Sequence, residues 1–419
     1  MRVLAVLRSR PSFRRLFLAN AQSQLGSGAA YVALLLLAYH RLHSGWGVAL
    51  VLLCDFLPGI ALSAPFGALA DRCDRRRLAV AADVIRAGAF VGIALVPSLA
   101  TTIAFALLAG VGGSLWRPAV NSALPGLVAA DERSAATAAW GLCMNVGMTA
   151  GPALSALVLL FASPGLVLIV NAATFAVSAL LIAKVGLGRV ADAGPDDADA
   201  PAATWGGICS LSRLPGVFVL IAVSSGTVLA GAMMNVAEPI LSVGPLHGGA
   251  SGYGLLVSLY GIGMVAGTIV NSRAPSSVAH LRVRWLAGLA LTGVMLVGSG
   301  IAPALLLAAV TFALTGAGNA MVTGPEMRLL QELTPERMLG RVFGVYDAVQ
   351  NTAFVIAFVL GGALLGTAGP RSVFIAAGGL MVVVCGLGAW FFRPGQSAGP
   401  GRSVFAGAQV PAQLALESA

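Results

Sequence analysis

The sequence predicts an all-α membrane protein with twelve transmembrane helices arranged as two six-helix halves. Three observations predict this fold class: the composition, a series of long apolar segments, and an internal repeat. Of the 419 residues, 58% are apolar and only 10% are charged, and the mean hydropathy is +0.90. Soluble proteins carry about 45–50% apolar and about 25% charged residues. The composition therefore excludes a water-soluble globular domain and a disordered chain.

Twelve segments are long and apolar enough to cross a bilayer, because a helix needs about 20 such residues to span the hydrocarbon core. Short polar loops join them. The predicted spans are 14–40, 46–70, 77–97, 100–124, 137–162, 165–186, 215–243, 252–271, 285–301, 303–327, 341–367 and 371–392. The first span is not a cleavable signal peptide, because Asn20, Gln22 and Gln24 interrupt a stretch that would otherwise be continuously apolar.

The basic residues indicate the orientation of the chain. With the N-terminus inside, twenty of the 25 basic residues fall in inner loops or tails, and the outer loops hold only Arg41 and Arg371. This distribution obeys the positive-inside rule, so the net charge of +9 reflects topology and not a nucleic-acid surface. We expect a multi-pass protein of the cell inner (plasma) membrane with both termini cytoplasmic. Arginine outnumbers the single Lys184, as is typical of a GC-rich bacterial source.

The chain divides at 187–214, where Asp192, Asp196, Asp197 and Asp199 stand among proline and alanine and cannot form a core. We predict an N-terminal tail 1–13, an N-terminal half 14–186, a cytoplasmic linker 187–214, a C-terminal half 215–393 and a C-terminal tail 394–419. The halves share residues at similar offsets: Gly110 and Gly112 with Gly316 and Gly318, Glu132-Arg133 with Glu336-Arg337, and Gly67, Asp71 and Arg72 with Gly267, Asn271 and Ser272. Such a repeat predicts a site at the membrane midplane between the halves.

The loop between spans two and three reads Gly67-Ala-Leu-Ala-Asp71-Arg72-Cys-Asp-Arg75-Arg76-Arg77. It resembles the signature G-x-x-x-D-R-x-G-R-R of the major facilitator superfamily, with Asp74 where that family prefers glycine. The resemblance implies the major facilitator fold and a cytoplasmic gating motif formed by Gly67, Asp71, Arg72, Arg75 and Arg76. In that motif Asp71 and Arg75 hold the halves together in the outward-open state, where charges meet helix ends of opposite partial charge. The alternative is that the arginines only anchor the loop inside.

Span five reads Gly147-Met-Thr-Ala-Gly151-Pro152-Ala-Leu-Ser155-Ala156. It resembles the superfamily's antiporter signature G-x-x-x-G-P-x-x-G-G, with Ser155 and Ala156 replacing the last two glycines, and the resemblance implies export. Gly147 and Gly151 allow a close helix approach and Pro152 permits a kink, so plain helix packing is the alternative. Segments 118–125 and 335–345 resemble the efflux branch that includes enterobactin-type siderophore exporters and macrolide efflux proteins.

Acidic residues inside the spans are functional candidates, because a charge at the bilayer centre costs about 2.5–3.5 kcal/mol on insertion scales. The five are Asp55, Asp83, Glu238, Glu326 and Asp347. Asp55, about nine residues into span two, is the first candidate for the proton carrier, followed by Asp347 and Glu238. Asp83 and Arg86 are predicted to form a structural i, i+3 pair. The alternatives are a structural Asp55, a Glu238 that reaches the outer surface, and an Asp347 paired with Arg328 or Arg341.

Polar residues also recur at helical spacing, at Asn20, Gln24, Ser27 and Tyr31 in span one and at Thr315, Asn319, Thr323 and Glu326 in span ten. Lipid would not accept such stripes. We predict a substrate cavity lined by Asn20, Gln24, Tyr31, Asn235, Asn319, Asn351 and Arg117. The alternative is hydrogen bonding between helices of one half. Arg117 either meets an anionic substrate or pairs with a carboxylate such as Glu326.

These observations predict a secondary active transporter that exports a small amphipathic organic compound (a drug, secondary metabolite or siderophore) by proton antiport and alternating access, as in multidrug resistance. The alternatives are a proton-coupled uptake symporter and, from another class, a transport-inactive membrane sensor or partner protein. We expect a monomer that binds its small-molecule substrate and protons within the lipid bilayer, without nucleic acid. The five cysteines and four histidines lack metal-site spacing. We expect no metal, no cofactor and no enzymatic activity.

Overall fold

Helices account for every regular element that the structure describes. The structure is a computed structural model, and it describes residues 2–42, 45–121, 123–129, 132–186, 214–275, 277–335 and 338–392. Within these ranges the regular elements are α-helices and one 3₁₀ helix, which confirms the predicted all-α class. The predicted linker, apart from Leu214, and the predicted C-terminal tail lie outside the described residues.

The N-terminal half is built from eight α-helices within the described ranges. They are α1 (Arg2–Ser9), α2 (Pro11–Leu42), α3 (Gly45–Ala61), α4 (Ser63–Arg72), α5 (Arg75–Leu95), α6 (Leu99–Asn121), α7 (Arg133–Val158) and α8 (Pro164–Ala183), with the 3₁₀ helix Leu124–Leu127 before α7. The predicted second span is α3 followed by α4. The helix continues through Pro58 and breaks at Leu62. Pro65 contributes to this later break because it has no N–H to donate to the preceding turn.

The C-terminal half continues with longer helices. They are α9 (Pro215–Val243), α10 (Gly249–Arg273), α11 (Val278–Ile301), α12 (Leu305–Leu333) and α13 (Leu339–Phe391). The last is interrupted at Gly369, whose φ of 79° is left-handed, and Pro370 follows directly. A left-handed residue ends one helix and a proline starts the next, so α13 comprises the predicted spans eleven and twelve.

Eight helices in the described ranges are long and apolar enough to cross a membrane. One of these, Val342–Phe391, contains both arms of α13. The predicted spans one, two and five correspond to α2, to α3 with α4, and to α7. The arrangement is therefore consistent with twelve spans in a multi-pass membrane protein.

Packing between helices follows the same plan in both halves. In the first, α2 packs against α7 and α8, α5 against α6 and α8, and α3 and α4 against α6. In the second, α12 packs against α10 and α11, and α13 against α9 and α11. The halves meet mainly where α3 packs against α13 and where α7 packs against α10. The α3–α13 contact and the α7–α10 contact lie on two sides of a space between the halves.

The α3–α13 contact is concentrated at one end of the bundle. The Phe56 ring stacks on Phe354 with centroids 5.3 Å apart and meets Phe358 edge-on at 5.5 Å. Further along, a Cβ atom at Gly362 would lie 2.8 Å from the Cβ of Ala49. Among the described residues, α4 makes no comparable contact with the C-terminal half. This interface is therefore closed at the end where α3 begins and open at the end where α4 terminates.

Paired glycines mark equivalent positions in the two halves. Gly110 of α6 lies so close to α3 that an added Cβ would be 2.5 Å from the carbonyl oxygen of Asp55. Gly316 of α12, 206 residues later, is even closer to the carbonyl oxygen of Tyr260 in α10. Asp55 and Tyr260 therefore occupy corresponding positions, one from each half.

A second glycine pair extends the correspondence. An added Cβ at Gly112 would lie 2.6 Å from Cγ of Arg86, and one at Gly318 would lie 2.5 Å from Oγ1 of Thr292. Arg86 and Thr292 are again 206 residues apart. The glycine matches seen in the sequence thus coincide with the same helix crossings in both halves. For the other loop match, Glu132 accepts hydrogen bonds from Arg10 and the Ala129 N–H, whereas Glu336 and Arg337 lie outside the described residues.

Candidate functional site

Asp55 lies in the middle of α3 with its side chain exposed, although Leu52 and Pro58 on the same helix are buried. The carboxylate lies within electrostatic reach of the guanidinium groups of Arg86 and Arg117. An exposed carboxylate at this depth, close to charges from α5 and α6, faces the space between the halves. The sequence-predicted first proton candidate is therefore open to that space in this conformation.

Glu238 occupies a closed position in α9. Its side chain is 4% exposed, and it makes no hydrogen bond or ion pair with any residue that the structure describes. The hydroxyl groups of Tyr31, Tyr253 and Tyr260 lie within its electrostatic reach. Glu238 therefore points into the protein among tyrosines, and the alternative of a carboxylate reaching the outer surface does not hold in this conformation.

Tyr31 connects the two carboxylates. It lies on α2 and interacts electrostatically with Glu238, Asp55 and Tyr260, which come from α9, α3 and α10. We call Tyr31, Asp55, Glu238 and Tyr260 the central cluster. The Nδ2 of Asn319 donates a hydrogen bond of 2.7 Å to Oη of Tyr260, so this predicted cavity residue joins the cluster from α12. The sequence analysis did not identify Tyr260. The signal that could have identified it is its position in the second half, which corresponds to that of Asp55 in the first.

Asp83 and Arg86 form the predicted pair, with Nη1 of Arg86 3.7 Å from Oδ1 of Asp83. Asp83 is fully buried and lies beside Ser178 and Trp116 without well-formed hydrogen bonds to them. The Arg86 guanidinium lies 3.8 Å from the centre of the Phe175 ring. Arg86 also interacts electrostatically with Asp55. It therefore has two acidic neighbours, the buried Asp83 and the exposed Asp55.

Glu326 is fixed inside the C-terminal half. Its Oε1 accepts a 2.6 Å hydrogen bond from the Tyr346 hydroxyl, and its Oε2 accepts a 3.4 Å hydrogen bond from Nε1 of Trp285. The expected alternative in which Arg117 pairs with Glu326 is therefore wrong in this conformation. Arg117 is exposed, and its electrostatic partners are Asp55 and Arg86.

Asp347 and Asn351 lie exposed on the first arm of α13, and neighbouring Gln350 is buried. Asp347 makes no ion pair with a described residue, including Arg328, while the side chain of Arg341 lies outside the described part of the chain. Asn235 of α9 is half-buried. None of these residues joins the central cluster in this conformation.

The polar stripe on span one divides between two environments. Asn20 is 1% exposed and lies beside Cys143 of α7, so the expectation that it lines an open cavity was wrong in this conformation. Gln24 packs against Gly147, and Gly28 packs against Gly147 and Gly151. Close packing of α2 on α7 thus covers the N-terminal part of the stripe, where Asn20 and Gln24 lie. Tyr31, further along the helix, remains at the seam between the halves.

The antiporter-like motif lies at this α2–α7 crossing. A Cβ added to Gly147 would be 2.7 Å from the Cβ of Gln24, and one added to Gly151 would be 2.7 Å from Cα of Gly28. Pro152 is buried within α7, which runs unbroken from Arg133 to Val158. The glycines therefore position span one, the helix that carries Tyr31.

The loop motif places a capping residue where the superfamily prefers glycine. Asp74 caps α5: its Oδ1 accepts hydrogen bonds from the N–H groups of Arg76 (2.9 Å) and Arg77 (3.2 Å). These bonds, that of Arg77 first, hold the pKa of Asp74 below its usual value. Arg72 and Arg76 are exposed, Gly67 has open space beside it, and Nε of Arg75 donates to the Ala70 carbonyl at 3.4 Å. The side chain of Asp71 lies outside the described part of the chain.

The family model described as transmembrane secretion effector matches residues 3–401, and the chain belongs to this family of major facilitator transporters. The chain is 28% identical over 401 residues to the enterobactin exporter EntS of Citrobacter koseri, covering 92% of each chain. It is 20% identical over 390 residues to macrolide efflux protein A of Streptococcus pyogenes, covering 89% of this chain and 94% of that protein.

Solved structures agree on the fold. A bacterial homologue of the human lysosomal transporter Spinster, in an inward-facing and unoccupied conformation, matches with a TM-score of 0.70 at 15% identity, covering 90% of this chain and 96% of that one. The nucleoside transporter NupG matches with a TM-score of 0.72 at 12% identity, covering 91% and 100%. The major facilitator fold predicted from the loop motif is confirmed, and the family is one of transporters and not of enzymes.

Proposed function

We propose that the chain exports a small amphipathic organic compound, such as a drug, a secondary metabolite or a siderophore, by proton antiport and alternating access. The observation that carries this proposal is the central cluster. It holds one carboxylate from each half, Asp55 exposed and Glu238 buried, both within electrostatic reach of Tyr31. A transporter of this type needs an ionisable group at the seam whose exposure changes when the halves move.

Asp55 is the proton carrier in this scheme. Burial disfavours the charged form of a carboxyl group, so a carboxylate that changes between an open and a closed environment takes up and releases a proton. Proton uptake at Asp55 changes its interaction with Arg86 and Arg117, and this change favours one arrangement of the halves over the other. Substrate and proton then bind in alternation. Glu238 and Asp347 are the other candidates for the proton carrier, and the Asp347 side chain is exposed on the first arm of α13.

Export and the compound class are supported by the relatives. Both named relatives are exporters by name, one for enterobactin and one for macrolides, and the chain matches each over nearly its whole length. The close α2–α7 crossing at Gly147 and Gly151 supports the same direction through the antiporter-like motif. Enterobactin and a macrolide are therefore the first substrates to test.

The moving parts are the halves 14–186 and 215–393, joined by the linker 187–214. In this proposal the tails 1–13 and 394–419 and both termini are cytoplasmic, and the protein functions as a monomer in the inner (plasma) membrane. The open end of the α3–α13 interface then faces the cytoplasm, so the conformation is inward-open. Gly67, Asp71, Arg72, Arg75 and Arg76 close this end in the outward-open state.

The direction of proton movement tests the proposal. Purified protein is reconstituted into liposomes that contain a pH-sensitive dye, and an outward gradient of macrolide or enterobactin is imposed without any initial pH gradient. As substrate flows out, an antiporter carries protons in and acidifies the lumen, and the signal disappears with an uncoupler. Proton movement in the same direction as the substrate would instead identify an uptake symporter, and substrate flow without proton movement would contradict the coupling.

A further inference from the structure

A cavity of about 210 Å³ lies between α10, α11 and α12, at the end of the bundle where α10 terminates. It is separate from the central cluster, whose residues do not line it. Its lining is partly apolar, from Leu281, Ala320, Gly324 and Pro325, and partly polar or cationic, from Thr268, Asn271, Ser272, Arg284, Thr323 and Arg328. The two arginines give this cavity the charge of an anion site.

Arg284 is held in place by backbone carbonyl groups. Its Nη1 donates to Asn271 O at 3.0 Å, its Nη2 to Pro275 O at 2.6 Å, and its Nε to His280 O at 3.3 Å. Each terminal nitrogen carries two N–H groups, so each keeps one for another acceptor. Carbonyl partners fix the guanidinium without neutralising its charge.

Arg328 supplies a second cation from α12. Its side chain is exposed, and within the described ranges no carboxylate lies within ion-pairing distance of Arg328 or Arg284. The corresponding loop of the N-terminal half carries Asp71, whereas the matching position here is the neutral Asn271. An anion in this cavity would therefore meet two arginines without a competing acidic side chain.

Asn271 adds a requirement for a hydrogen-bond donor. Its Nδ2 donates to Ala320 O at 2.7 Å, which fixes the amide orientation, and its buried Oδ1 has no partner among the described residues. An unpartnered buried acceptor costs about 1–3 kcal/mol. A ligand that carries both anionic oxygens and a hydroxyl group satisfies the arginines and this acceptor together.

We propose that this cavity binds a phosphate group, carried by an anionic phospholipid or present as free phosphate. Phosphate oxygens match the guanidinium N–H groups, and a P–OH group or a glycerol head-group hydroxyl supplies the donor for Asn271. Val265, Ile269 and Val270 are exposed on α10, the helix that contributes Thr268, Asn271 and Ser272 to the cavity, as expected of a lipid-facing surface. They favour phosphatidylglycerol as the source. The proposal does not depend on the direction of transport.

Binding is tested on the full-length protein in neutral phosphatidylcholine nanodiscs and in detergent. Phosphatidylglycerol is titrated in one arm and inorganic phosphate in the other, with sulfate, which has no donor at neutral pH, as the reference anion. Native mass spectrometry counts the bound lipid and thermal unfolding reports stabilisation. The variants are Arg328→Gln, Gly324→Leu and Arg273→Gln. Gly324 lies 3.3 Å, measured from an added Cβ, from Nδ2 of Asn271, and Arg273 is an exposed arginine at the same end that does not line the cavity.

Arg328→Gln is expected to weaken binding about tenfold, the effect of losing one charge-assisted hydrogen bond. Gly324→Leu fills the cavity and should abolish binding, while Arg273→Gln should bind like the wild type. An effect of phosphatidylglycerol alone identifies a lipid site, and an effect of phosphate above sulfate identifies a free-anion site. Equal binding by Arg328→Gln and Arg273→Gln, or no preference for either phosphate ligand, would overturn the proposal.

Discussion

Charged residues inside the membrane serve different purposes in the two halves. In α5 the buried Asp83 pairs with the partly exposed Arg86, and the positions 206 residues later hold Leu289 and Thr292, which need no counter-charge. The same helix crossing is therefore built with ions in one half and without them in the other. A buried ion pair rarely adds stability over apolar packing. The pair is better explained by the reach of Arg86 toward Asp55.

The first prediction concerns Asp83→Leu. Removing the carboxylate takes away the nearest counter-charge of Arg86, whose side chain is 19% exposed and which keeps Asp55 as a second acidic neighbour. Breaking a fully buried pair costs about 3–5 kcal/mol, so the loss here should lie below that range. We expect a clear drop in thermal stability, measured in detergent or by unfolding in mixed micelles.

The double variant Asp83→Leu/Arg86→Thr copies the residues of the other half and serves as the matched comparison. It should recover most of the stability and impair proton-coupled transport, because Asp55 then keeps only Arg117 of its two cationic neighbours. If the single variant is as stable as the wild type, the pair does not have the structural role described here.

At the residue scale, sequence reasoning found individual groups better than their surroundings. Asp55 and Glu238 were identified because an acid in an apolar span requires an explanation. The polar stripe on span one misplaced Asn20, because helical spacing defines a face but does not say which neighbour covers it. Tyr253 and Tyr260 escaped notice because a neutral tyrosine in an apolar span does not require an explanation as an acid does.

Helix crossings in this protein depend on glycine at the contact points. Gly110, Gly316 and Gly318 lie against backbone or side-chain atoms of the facing helix, closer than any Cβ tolerates. Gly113, on the same helix as Gly110, has open space beside it. Small residues let helices approach closely in a membrane, where packing drives association.

The second prediction compares Gly110→Ala with Gly113→Ala. The first must separate α6 from α3 and should lower the free energy of unfolding by about 1–3 kcal/mol, the usual cost of overpacking. It should also impair transport, because α3 carries Asp55. Gly113→Ala should leave the stability unchanged or slightly raised. Equal behaviour of the two variants in thermal unfolding would contradict the packing described for α6.

The third prediction concerns Asp74, which caps α5. Its lowered pKa means that the ionised carboxylate stabilises the fold above the usual aspartate pKa of about 4, and that this contribution is lost as the pH falls through the lowered folded-state value. Asp74→Ala should therefore be less stable than the wild type at neutral pH, and the difference should shrink in acid.

Asp74→Asn provides the control, because asparagine caps helices about as well as aspartate but does not titrate. Its stability relative to Asp74→Ala should be independent of pH. Thermal unfolding of the three proteins between neutral pH and about pH 3 checks both statements. A wild-type advantage over Asp74→Ala that persists unchanged in acid would contradict a capping role for the carboxylate.

At the element scale, the existence of the helices was predictable from length and hydropathy, and their interruptions only in part. The break between the last two spans was visible at Gly369-Pro370, where both residues favour it. The break in span two falls at Leu62, after a proline that the helix accommodates, since a neighbouring helix can stabilise a proline kink. Local sequence does not contain that tertiary information.

The whole molecule consists of two similar halves that meet through α3 with α13 and α7 with α10. The repeat was predictable because glycines recur at a nearly constant offset. The conformation was not, because both end states of a transporter share one sequence and differ by a small free energy. The packed Phe56, Phe354 and Phe358 rings and the close approach of Gly362 to Ala49, with α4 apart from the other half, identify the closed end.

The fourth prediction is a disulfide across the closed end. In a background without the native cysteines, Ala49→Cys/Gly362→Cys should cross-link readily, because a Cβ at Gly362 would be 2.8 Å from that of Ala49 and a small shift reaches the roughly 3.5–4.5 Å of a disulfide. The cross-link should stop transport, and reduction should restore it.

The control pair is Gly67→Cys/Gly344→Cys, at the other end of the corresponding spans. Both glycines have open space beside them. This pair should stay reduced in the conformation described here. Gel mobility with and without reductant checks both pairs. Rapid cross-linking of the control and none of the first pair would reverse the assignment of the closed end.

The central claim is that Asp55 couples proton entry to export, and Asp55→Asn tests it most directly. Efflux of a macrolide or enterobactin from proteoliposomes is measured with an imposed pH gradient, alongside substrate exchange at equal pH on both sides. The account predicts that Asp55→Asn loses gradient-driven efflux while substrate exchange continues at a rate near that of the wild type. Gradient-driven efflux that persists in Asp55→Asn, and that disappears instead in Glu238→Gln or Asp347→Asn, would contradict it.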